Sequence, residues 1–500
     1  MMSLQRLRKP YRIANISVTR VCKPRVDYCF CIMRRTKIVA TLGPASSSPE
    51  VIRQLINAGM DVARLNFSHG THDEHARVIA TLRSISQELD TPVTILQDLQ
   101  GPKIRVGQLP GGQMTLTSGA VVALVPEADL AGREAVIPLD YAHIAESAEP
   151  GMRVMLDDGL LEMEVVEVAG RELRCRVVEG GVLKSRKGVN FPNLPLPLPS
   201  LTDKDIRDVE FGLTQDIDWI SLSFVRTAAD VRSLKQLVVA KGASKPVIAK
   251  IEKPQAVENL DEILQEVSGV MIARGDLGVE VSPEKVPMLQ KQIIEKCNRL
   301  GLPVITATQM LESMIHDPRP TRAEASDVAN AIIDGTDAVM LSGESAIGAF
   351  PVRAVEMMAR IANEVEARIA FKVYPASDPT DAHALSEAAT AIARVVNLRA
   401  IVVLTTTGYT ARFVAAERSK IPLLALTTDA AAYHSLNLFW GVKPLLVQGI
   451  PGTFEGLITQ AEAILRARQL VASHDKILVI AGVPAGQPRG SNFMKIHSIA

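Results

Sequence analysis

A lysine and a glutamate stand two residues apart at the end of an aliphatic run, "VIAKIEKPQAV", residues 247–257. Side chains two apart on a strand share one face, so Lys250 and Glu252 point to the same side, and Pro254 ends the strand. Such a pair is either a buried ion pair that only offsets its own desolvation or the edge of a catalytic site. On spacing alone, the buried ion pair is the favoured interpretation.

Polar residues follow other predicted strands in the same manner. They are Arg64, Asn66 and Ser68 in "VARLNFSHG", Asp98 in "TILQD", Asp276 in "IARGDLG", Thr308 in "ITATQ", and Ser342 and Glu344 in "MLSGES". The carboxyl ends of the strands of a (β/α)₈ barrel meet at one face, where the chemistry of that fold takes place. We therefore expect these side chains to gather around Lys250 and Glu252.

The types of these residues predict phosphate chemistry. Glu252 and Asp276 are hard oxygen ligands of the kind that hold Mg²⁺, although two solvated loop carboxylates are the simpler alternative. Arg64, Arg105 and Lys250 would bind a phosphate or carboxylate group, which two carboxylates alone would repel. A site of this composition favours phosphoryl transfer.

Three closely spaced histidines in "SHGTHDEH" resemble a metal cluster. Thr71 and Glu74 also form a capping box, so a helix that begins here with ordinary surface histidines is the better interpretation. Thr321 and Glu324 predict a second capped helix in the same way.

The elements that must position these residues alternate between short aliphatic strands and helices, which predicts a parallel sheet. The alternation covers residues 34–102 and 200–370, and we assign both segments to a (β/α)₈ TIM barrel. Gly-rich, strand-like residues 103–199 predict an inserted β-barrel lid domain, with a proline-rich hinge at 192–200. Residues 371–500 predict a C-terminal α/β domain with an open sheet.

Composition excludes several classes of protein. The 500 residues balance 55 basic against 55 acidic side chains, but residues 1–33 hold seven basic residues and only Asp27, leaving 48 against 54. A mildly acidic body argues against a nucleic-acid surface, and no apolar run has the length of a membrane span. Five cysteines, three of them in residues 1–33, predict no disulfide framework.

Residues 1–33 form a basic leader that we expect to be disordered or not native. Met33 directly precedes the first strand, "TKIVATLG", and we take it as the start of the functional chain. This interpretation predicts a cytoplasmic protein.

The motifs together resemble those of the pyruvate kinase family from Arg35 onward. "VIAKIEKPQAV" fits the segment around that family's catalytic lysine. It is joined in order by "TKIVATLGPAS", "ARLNFSHG", "GPKIR", "SRKGVN", "ARGDLG", "ITATQMLESM", "PRPTRAE" and "MLSGESAIGAFP". The resemblance implies a barrel with a lid inserted after its third strand, a C-terminal regulatory domain and a homotetramer. It implies transfer of the phosphoryl group of phosphoenolpyruvate to ADP.

The resemblance also implies roles for single residues. Lys250 would stabilise the transferring phosphoryl group, Arg64 would bind the phosphate, Thr308 would lie near the enolate, and Glu252 and Asp276 would hold Mg²⁺ or, in its place, Mn²⁺. The other implied catalytic and substrate-binding residues are Arg105, Lys103, Gly275, Asn66, His69, Lys187, Ser342 and Glu344.

One departure from the family concerns potassium. Members that need K⁺ carry a glutamate where this chain has Lys103, and Asn66, Ser68 and Asp98 would otherwise be K⁺ ligands. A tethered ammonium would supply the same charge, so we expect activity without K⁺.

A Thr/Gly-rich turn in the C-terminal domain precedes a predicted helix. Thr405, Thr406, Thr407, Gly408 and Thr410 would cradle a phosphate at the helix N terminus, or they form a plain β/α turn. Because relatives bind activators at such a loop, we favour a site for a sugar-phosphate or nucleotide effector.

Two other functions remain open from the residues alone. A Mg²⁺-dependent barrel lyase or aldolase would use Glu252 and Asp276 to stabilise an enolate and would not need ADP. A catalytically silent sensor would bind metabolites through the 405–410 turn, but it would have no use for Lys250 and Thr308.

Overall fold

The structure is a computed structural model that describes residues 34–130, 136–192, 194, 199–374, 380–449, 451–482 and 490–500. The basic leader predicted over residues 1–33 lies outside these ranges, as do residues 193 and 195–198 of the predicted hinge.

The chain opens with β/α alternation. Its elements are β1 (Lys37–Leu42), α1 (Pro49–Ala58), β2 (Val62–Asn66), α2 (His72–Glu88) and β3 (Thr94–Asp98). Every residue of β1 and β3 is buried, as their aliphatic sequences predict. The capping box predicted at Thr71 and Glu74 starts α2, which confirms that "SHGTHDEH" is a helix start.

The inserted lid is built from strands. They are β4 (Gln113–Leu116), β5 (Val121–Pro126), β6 (Val136–Leu139), β7 (Arg153–Leu156), β8 (Leu161–Ala169), β9 (Glu172–Glu179), β10 (Gly181–Lys184) and β11 (Val189–Asn190). Six pair as one sheet in the order β11-β7-β8-β9-β5-β6, and β4 pairs with β10. Residues 104–107 connect the two edges of this sheet, because the Gly107 amide donates to the Pro138 carbonyl on β6 and the Val189 amide on β11 donates to the Ile104 carbonyl. The β-barrel assignment of the lid stays a prediction.

The β/α alternation then resumes. The elements are α3 (Asp203–Thr214), β12 (Trp219–Leu222), α4 (Ala228–Ala240), β13 (Val247–Ile251), α5 (Pro254–Glu258), α6 (Leu260–Glu266), β14 (Gly269–Ala273), α7 (Arg274–Val281), α8 (Val286–Arg299), β15 (Val304–Ala307), α9 (Arg322–Asp334), β16 (Ala338–Leu341), α10 (Gly343–Ala346) and α11 (Pro351–Arg368). The strands β1-β2-β3-β12-β13-β14-β15-β16 close into a parallel barrel, because β16 pairs with β1. The predicted (β/α)₈ fold is confirmed.

The C-terminal domain has an open sheet with helices, as predicted. Its elements are α12 (Asp381–Val395), β17 (Ala400–Leu404), α13 (Tyr409–Ala416), β18 (Leu423–Thr427), α14 (Ala430–Ser435), β19 (Val442–Leu446), α15 (Phe454–Ala467), β20 (Lys476–Ala481) and β21 (Phe493–Ser498). The order is β19-β18-β17-β20-β21. The antiparallel edge strand β21 was not predicted.

The C-terminal domain covers the amino ends of the barrel strands. Trp219 on β12 donates a hydrogen bond from Nε1 to the Ser435 carbonyl at 3.2 Å, and its ring packs near Phe439. Buried barrel residues such as Met271 and Ile305 belong to the same apolar cluster as Leu436 and Leu438. One end of the barrel is therefore closed by packing, and the carboxyl ends of the strands face the lid.

No helix in the described part of the chain combines the length and the apolar character that crossing a membrane requires.

Candidate active site

Lys250 and Glu252 form the ion pair that their spacing predicted. Lys250 is the fourth residue of β13 and Glu252 follows the last one, so both side chains leave the same face of the strand. Lys250 Nζ lies 2.9 Å from Glu252 Oε1 and donates a hydrogen bond to Ser223 Oγ at 2.8 Å. Glu252 is fully buried, which fixes its carboxylate at the carboxyl end of the barrel.

A second buried carboxylate and an arginine complete this cluster. Arg64 on β2 donates from Nε to Asp98 Oδ2 on β3 at 2.7 Å and from Nη1 to Thr41 Oγ1 on β1 at 2.9 Å. Asp98 Oδ1 lies 3.6 Å from Lys250 Nζ. The parallel register that pairs Asn66 with Asp98 brings these strand ends together. The barrel thus gathers residues that lie almost 200 positions apart.

The cluster favours the charged forms of Lys250 and Asp98. Burial lowers the pKa of Lys250, but the nearby Asp98 and Glu252 outweigh burial, so this pKa is raised from its ordinary value. Burial raises the pKa of Asp98, but Lys250 and Arg64 outweigh it, so this pKa is lowered. Burial also raises the pKa of Glu252, which Lys250 offsets only in part. An ammonium is therefore held in place by two carboxylates.

Asp276 lies beside this cluster at the start of the next strand-helix unit. It is the third residue of α7, which begins directly after β14. Lys103 Nζ lies 3.0 Å from Asp276 Oδ1 and 3.6 Å from Asp158 Oδ1 of the lid. Burial lowers the pKa of Lys103, but Asp276 and Asp158 outweigh it, so the pKa is raised. The contacts of Lys103 thus join the lid to the barrel.

The residues present fit a divalent cation. Glu252 Oε1 is buried and receives no hydrogen bond in good geometry, while Oε2 accepts one from the Phe224 amide at 2.6 Å. Within the described ranges, no cluster of three or more His, Cys, Asp or Glu side chains forms an all-protein cage. Mg²⁺ commonly binds one or two carboxylates and takes its remaining ligands from water and substrate phosphates. Glu252 and Asp276 provide that donor set.

Thr308 and Gly275 meet next to Asp276. Thr308 follows β15 with a φ of 70°, a strained value for a β-branched residue. Its Oγ1 accepts a hydrogen bond from the Gly275 amide at 2.8 Å and donates to the Ala307 carbonyl at 2.6 Å. This geometry places the threonine hydroxyl at the mouth of the barrel.

Three further predicted residues lie around the cluster on its lid side. The pKa of His69 is lowered by burial and by the nearby charges of Arg105 and Arg64. Arg105 pairs with Gly188 through an antiparallel bridge at the base of the lid. Lys187 Nζ lies 2.7 Å from Asp157 Oδ1 and is 40% exposed. Arg105 and Lys187 thus lie at the base of the lid, and their roles in binding substrate stay predictions.

Asn66, Ser342 and Glu344 make local contacts that shape the strand ends. Asn66 Oδ1 accepts a hydrogen bond from the Ser68 amide at 3.1 Å. The buried Glu344 carboxylate accepts hydrogen bonds from the Leu311 amide at 3.0 Å and the Ser342 amide at 2.7 Å. Both oxygens of Glu344 thus stabilise backbone, and its substrate-binding role stays a prediction.

Sequence reasoning missed the support that β12 gives to the cluster. Ser221 Oγ donates to Asp98 Oδ1 at 2.5 Å, and Ser223 Oγ contacts both Lys250 and the Leu99 carbonyl. The polar alternation in "WISLSF" could have found both serines. Phe224 could not be found in this way, because its role depends on a φ of 54° that directs its amide to Glu252.

A cleft of about 1040 Å³ opens between lid and barrel beside this cluster. Its lining includes Asp158 and Gly159 from the lid and Gly275 and Glu280 from α7. Lys250, Glu252 and Asp276 are not among its lining residues, so this cleft runs along α7 next to the cluster and is not the cavity that the cluster lines.

The turn predicted to bind an effector has a definite hydrogen-bonding pattern. The Gly408 amide donates to Thr405 Oγ1 at 2.8 Å, and Thr410 Oγ1 lies 2.6 Å from Ser491 Oγ. Thr406 and Thr407 are exposed, and α13 begins at Tyr409, whose amide donates to Thr407 Oγ1 at 3.4 Å.

Comparison with known proteins decides the family. The family description "Pyruvate kinase, barrel domain" matches residues 33–355, and "Pyruvate kinase, alpha/beta domain" matches residues 383–497. The chain belongs to the pyruvate kinase family. The chain is 48% identical over 471 residues to "Pyruvate kinase 2" of Synechocystis, covering 93% of this chain and 79% of the relative. It is 44% identical over 474 residues to a pyruvate kinase of Agrobacterium vitis, covering 93% of this chain and 97% of the relative.

A solved structure agrees with the family assignment. The chain superposes on a pyruvate kinase of Cryptosporidium parvum with a TM-score of 0.87 and 35% identity, covering 96% of this chain and all of the other. The protein is therefore a phosphotransferase with phosphoenolpyruvate and ADP as substrates and pyruvate and ATP as products. Enzymes of this family generally need Mg²⁺.

Proposed function

We propose that Lys250 is the catalytic lysine of the phosphoryl transfer and that Glu252 and Asp276 hold the Mg²⁺ of the reaction. The observation that carries the proposal is the fully buried Glu252 carboxylate, whose Oε1 lies 2.9 Å from the Lys250 ammonium and accepts no backbone or neutral side-chain hydrogen bond from the described residues. A lysine and a metal ligand fixed this close can act on the same phosphoryl group.

The side chains divide the work as follows. Arg64 binds the phosphate of phosphoenolpyruvate, and Asp98 holds the guanidinium in place. Lys250 donates to the oxygens of the phosphoryl group as it moves toward ADP, and no proton transfer from the ammonium is required. When bound, Mg²⁺ neutralises charge on the phosphoryl oxygens. Thr308 and the adjacent Gly275 would lie near the enolate that is left behind, which becomes pyruvate when its terminal carbon takes up a proton from the solvent.

The nucleotide contacts come from the cations on the lid side. Arg105 and Lys187 would neutralise the ADP phosphates, and Asn66 and His69 would add hydrogen bonds. Burial and the charges of Arg105 and Arg64 lower the pKa of His69, so its ring is neutral near pH 7 and donates one hydrogen bond. Ser342 and Glu344, which follow β16, would form the part of the barrel mouth next to β1.

The metal assignment is tested by Glu252→Gln and Asp276→Asn. Each variant should lose ADP-dependent pyruvate formation and also weaken Mn²⁺ binding without substrates, measured by electron paramagnetic resonance. Glu164→Gln is the control, because Glu164 pairs only with lid surface residues such as Arg176. Normal Mn²⁺ affinity in both site variants would refute the assignment.

The proposal includes activity without K⁺. Asp98, an expected K⁺ ligand, lies beside both Arg64 and Lys250, so its charge is already compensated. Lys103 adds an ammonium that Asp276 and Asp158 hold in place. Equal rates in KCl and in tetramethylammonium chloride are expected, and strong activation by K⁺ would contradict this.

The 405–410 turn is proposed to bind the phosphate of a sugar-phosphate or nucleotide effector. Backbone amides at the start of α13 and the exposed hydroxyls of Thr406 and Thr407 are suitable donors. Thr406→Glu would place a negative charge in the cradle, whereas Thr459→Glu would place one on an exposed helix elsewhere in the domain. Activation by a panel of sugar phosphates and nucleoside monophosphates should be lost only in Thr406→Glu.

We further propose a homotetramer in the cytoplasm. Val395 at the end of α12 is 87% exposed and Ile347 is 66% exposed, and apolar side chains of this size favour burial between subunits. Light scattering after size-exclusion chromatography would measure the mass, and a monomer at micromolar concentration would refute the assembly. Fractionation of the source cells would test the compartment.

A further inference from the structure

A buried carboxylate outside the catalytic cluster joins the lid to the barrel. Glu280 on α7 is only 4% exposed. Its Oε1 accepts a hydrogen bond from Asn190 Nδ2 at 2.7 Å and lies 2.5 Å from Lys253 Nζ. Asn190 ends β11, the last strand of the lid, whereas Lys253 belongs to the barrel. One carboxylate oxygen thus holds a lid residue and a barrel residue together.

Each residue of the Glu280–Lys253 pair is close in sequence to a proposed metal ligand. Glu280 stands four residues after Asp276 on the same helix, so the two side chains share a face of α7. Lys253 directly follows Glu252, and its ammonium lies 5.8 Å from the centre of the Phe224 ring. Phe224 in turn donates its amide to Glu252. Glu280 therefore contacts Lys253, the residue that follows Glu252 in sequence and lies against the ring of Phe224, whose amide binds Glu252.

The lid packs on α7 at a second point. A Cβ built on Gly159, between β7 and β8, would lie 3.4 Å from Cγ2 of Val279. Val279 and Glu280 are consecutive residues of α7, so the helix meets the lid through an apolar and a polar contact. The helix that carries Asp276 is also the surface on which the lid rests.

We propose that Glu280 is a positioning residue that fixes the base of the lid to α7, so that the placement of the lid and the geometry of Glu252 and Asp276 are set together. The proposal rests on the metal site given under Proposed function. Glu280 touches neither substrate nor metal. It acts through Asn190 on one side and Lys253 on the other, as residues behind metal ligands commonly do.

The variants separate the two arms of the contact. Asn190→Ala removes the lid partner and keeps the Lys253 ion pair. Lys253→Met removes the barrel cation and keeps the lid hydrogen bond. Glu280→Gln keeps the shape and an oxygen acceptor but removes the charge that holds Lys253. Arg176→Ala in β9 is the control, because this lid arginine is 52% exposed and pairs with Glu164 on the lid surface.

We expect that changing residues that do not bind the metal will weaken metal binding. Asn190→Ala and Lys253→Met should each weaken Mn²⁺ binding without substrates by about tenfold, as changes behind metal ligands do. Hydrogen exchange in β11 should rise, and the KM for phosphoenolpyruvate should increase more than kcat falls. Because a misplaced lid admits water, pyruvate formed per ATP should exceed one. Glu280→Gln should show a weaker form of the same defects.

The role of Glu280 and the metal site itself are refuted by different results. Unchanged Mn²⁺ affinity and unchanged pyruvate-to-ATP ratio in folded Asn190→Ala and Lys253→Met would overturn the role of Glu280. Normal Mn²⁺ binding by both Glu252→Gln and Asp276→Asn would instead overturn the metal site. Thermal unfolding of each variant verifies the fold, and equal defects in Arg176→Ala would also overturn the proposal.

Discussion

Replacing Lys250 with methionine removes the ammonium that lies 2.9 Å from Glu252 and keeps a side chain of similar length. Removing one charged donor from a preorganised site costs about 10²–10³-fold in kcat. Lys250 faces the proposed metal carboxylate directly, so we expect a loss at the upper end of this range or beyond. Asp98 keeps its pairing with Arg64, whereas Glu252 loses the ammonium that lies 2.9 Å from its Oε1.

The same substitution should destabilise the fold by a predictable amount. Breaking a buried ion pair by removing one partner costs about 3–5 kcal/mol, because the other charge stays buried. The uncompensated group is Glu252, which is fully buried. A second substitution, Glu252→Gln, should recover most of this loss while the activity stays absent. Stability and catalysis would then be separated in one set of proteins.

A coupled assay for pyruvate and ATP measures the rate, and denaturant unfolding measures the stability. Lys245→Met is the matched control, because Lys245 precedes the same strand at its opposite end and donates to the Ile217 carbonyl, away from the cluster. Its kcat should stay within a factor of about two of the parent, since it lies far from the strand's carboxyl end. A Lys250→Met protein that folds and keeps more than about a tenth of the parent kcat would refute the electrostatic role of Lys250.

Three further predictions concern other parts of the molecule. Lys103→Glu should lower the rate in tetramethylammonium chloride at least about tenfold and restore much of it in KCl, since it removes a tethered charge; equal rates in both salts would contradict this. Gly212→Ala should lower the free energy of unfolding by about 1–3 kcal/mol, because the new Cβ would lie 2.2 Å from the buried Gln97 Oε1; an unchanged denaturation midpoint would argue against it. Burial and Glu387 raise the pKa of Glu417 to about 7, so the folded state holds this proton between pH 4.5 and 7 and stability falls as pH rises through that range. Glu417→Gln should therefore gain up to about 3 kcal/mol over the parent at pH 8 and little at pH 5, measured by urea unfolding.

The sequence predicted the barrel and the core of its site because both depend on short-range patterns. Eight aliphatic runs predicted eight strands, and a polar residue at or near the carboxyl end of a buried barrel strand must lie toward the barrel mouth. Lys250, Glu252, Asp98 and Arg64 follow that rule, and the structure brings them together. The capping box at Thr71 is equally local, and it was predicted correctly.

Short-range sequence patterns did not predict the contacts between the inserted lid and the barrel. Lys103 was expected to supply the charge of K⁺ beside the substrate, but its carboxylate partners, Asp276 and the lid residue Asp158, were not predicted. Which carboxylate a long side chain meets depends on how two domains pack, and hydrophobic periodicity does not encode that. The bond between Asn190 and Glu280 spans 90 positions and two domains for the same reason.

Backbone conformation is the other source of what was missed. Phe224 and Thr308 both have a positive φ, which bulky residues rarely adopt, and both lie at strand ends in the site. Strain of this kind costs about 1–3 kcal/mol and persists only where surrounding contacts fix it. In Phe224 the strained backbone directs an amide to Glu252, and in Thr308 it accompanies a hydrogen bond from Gly275. The strained backbone therefore lowers stability at two positions that hold the neighbours of the proposed metal ligands in place. Backbone preferences read from the local sequence do not predict these conformations, because the requirements of the site override them.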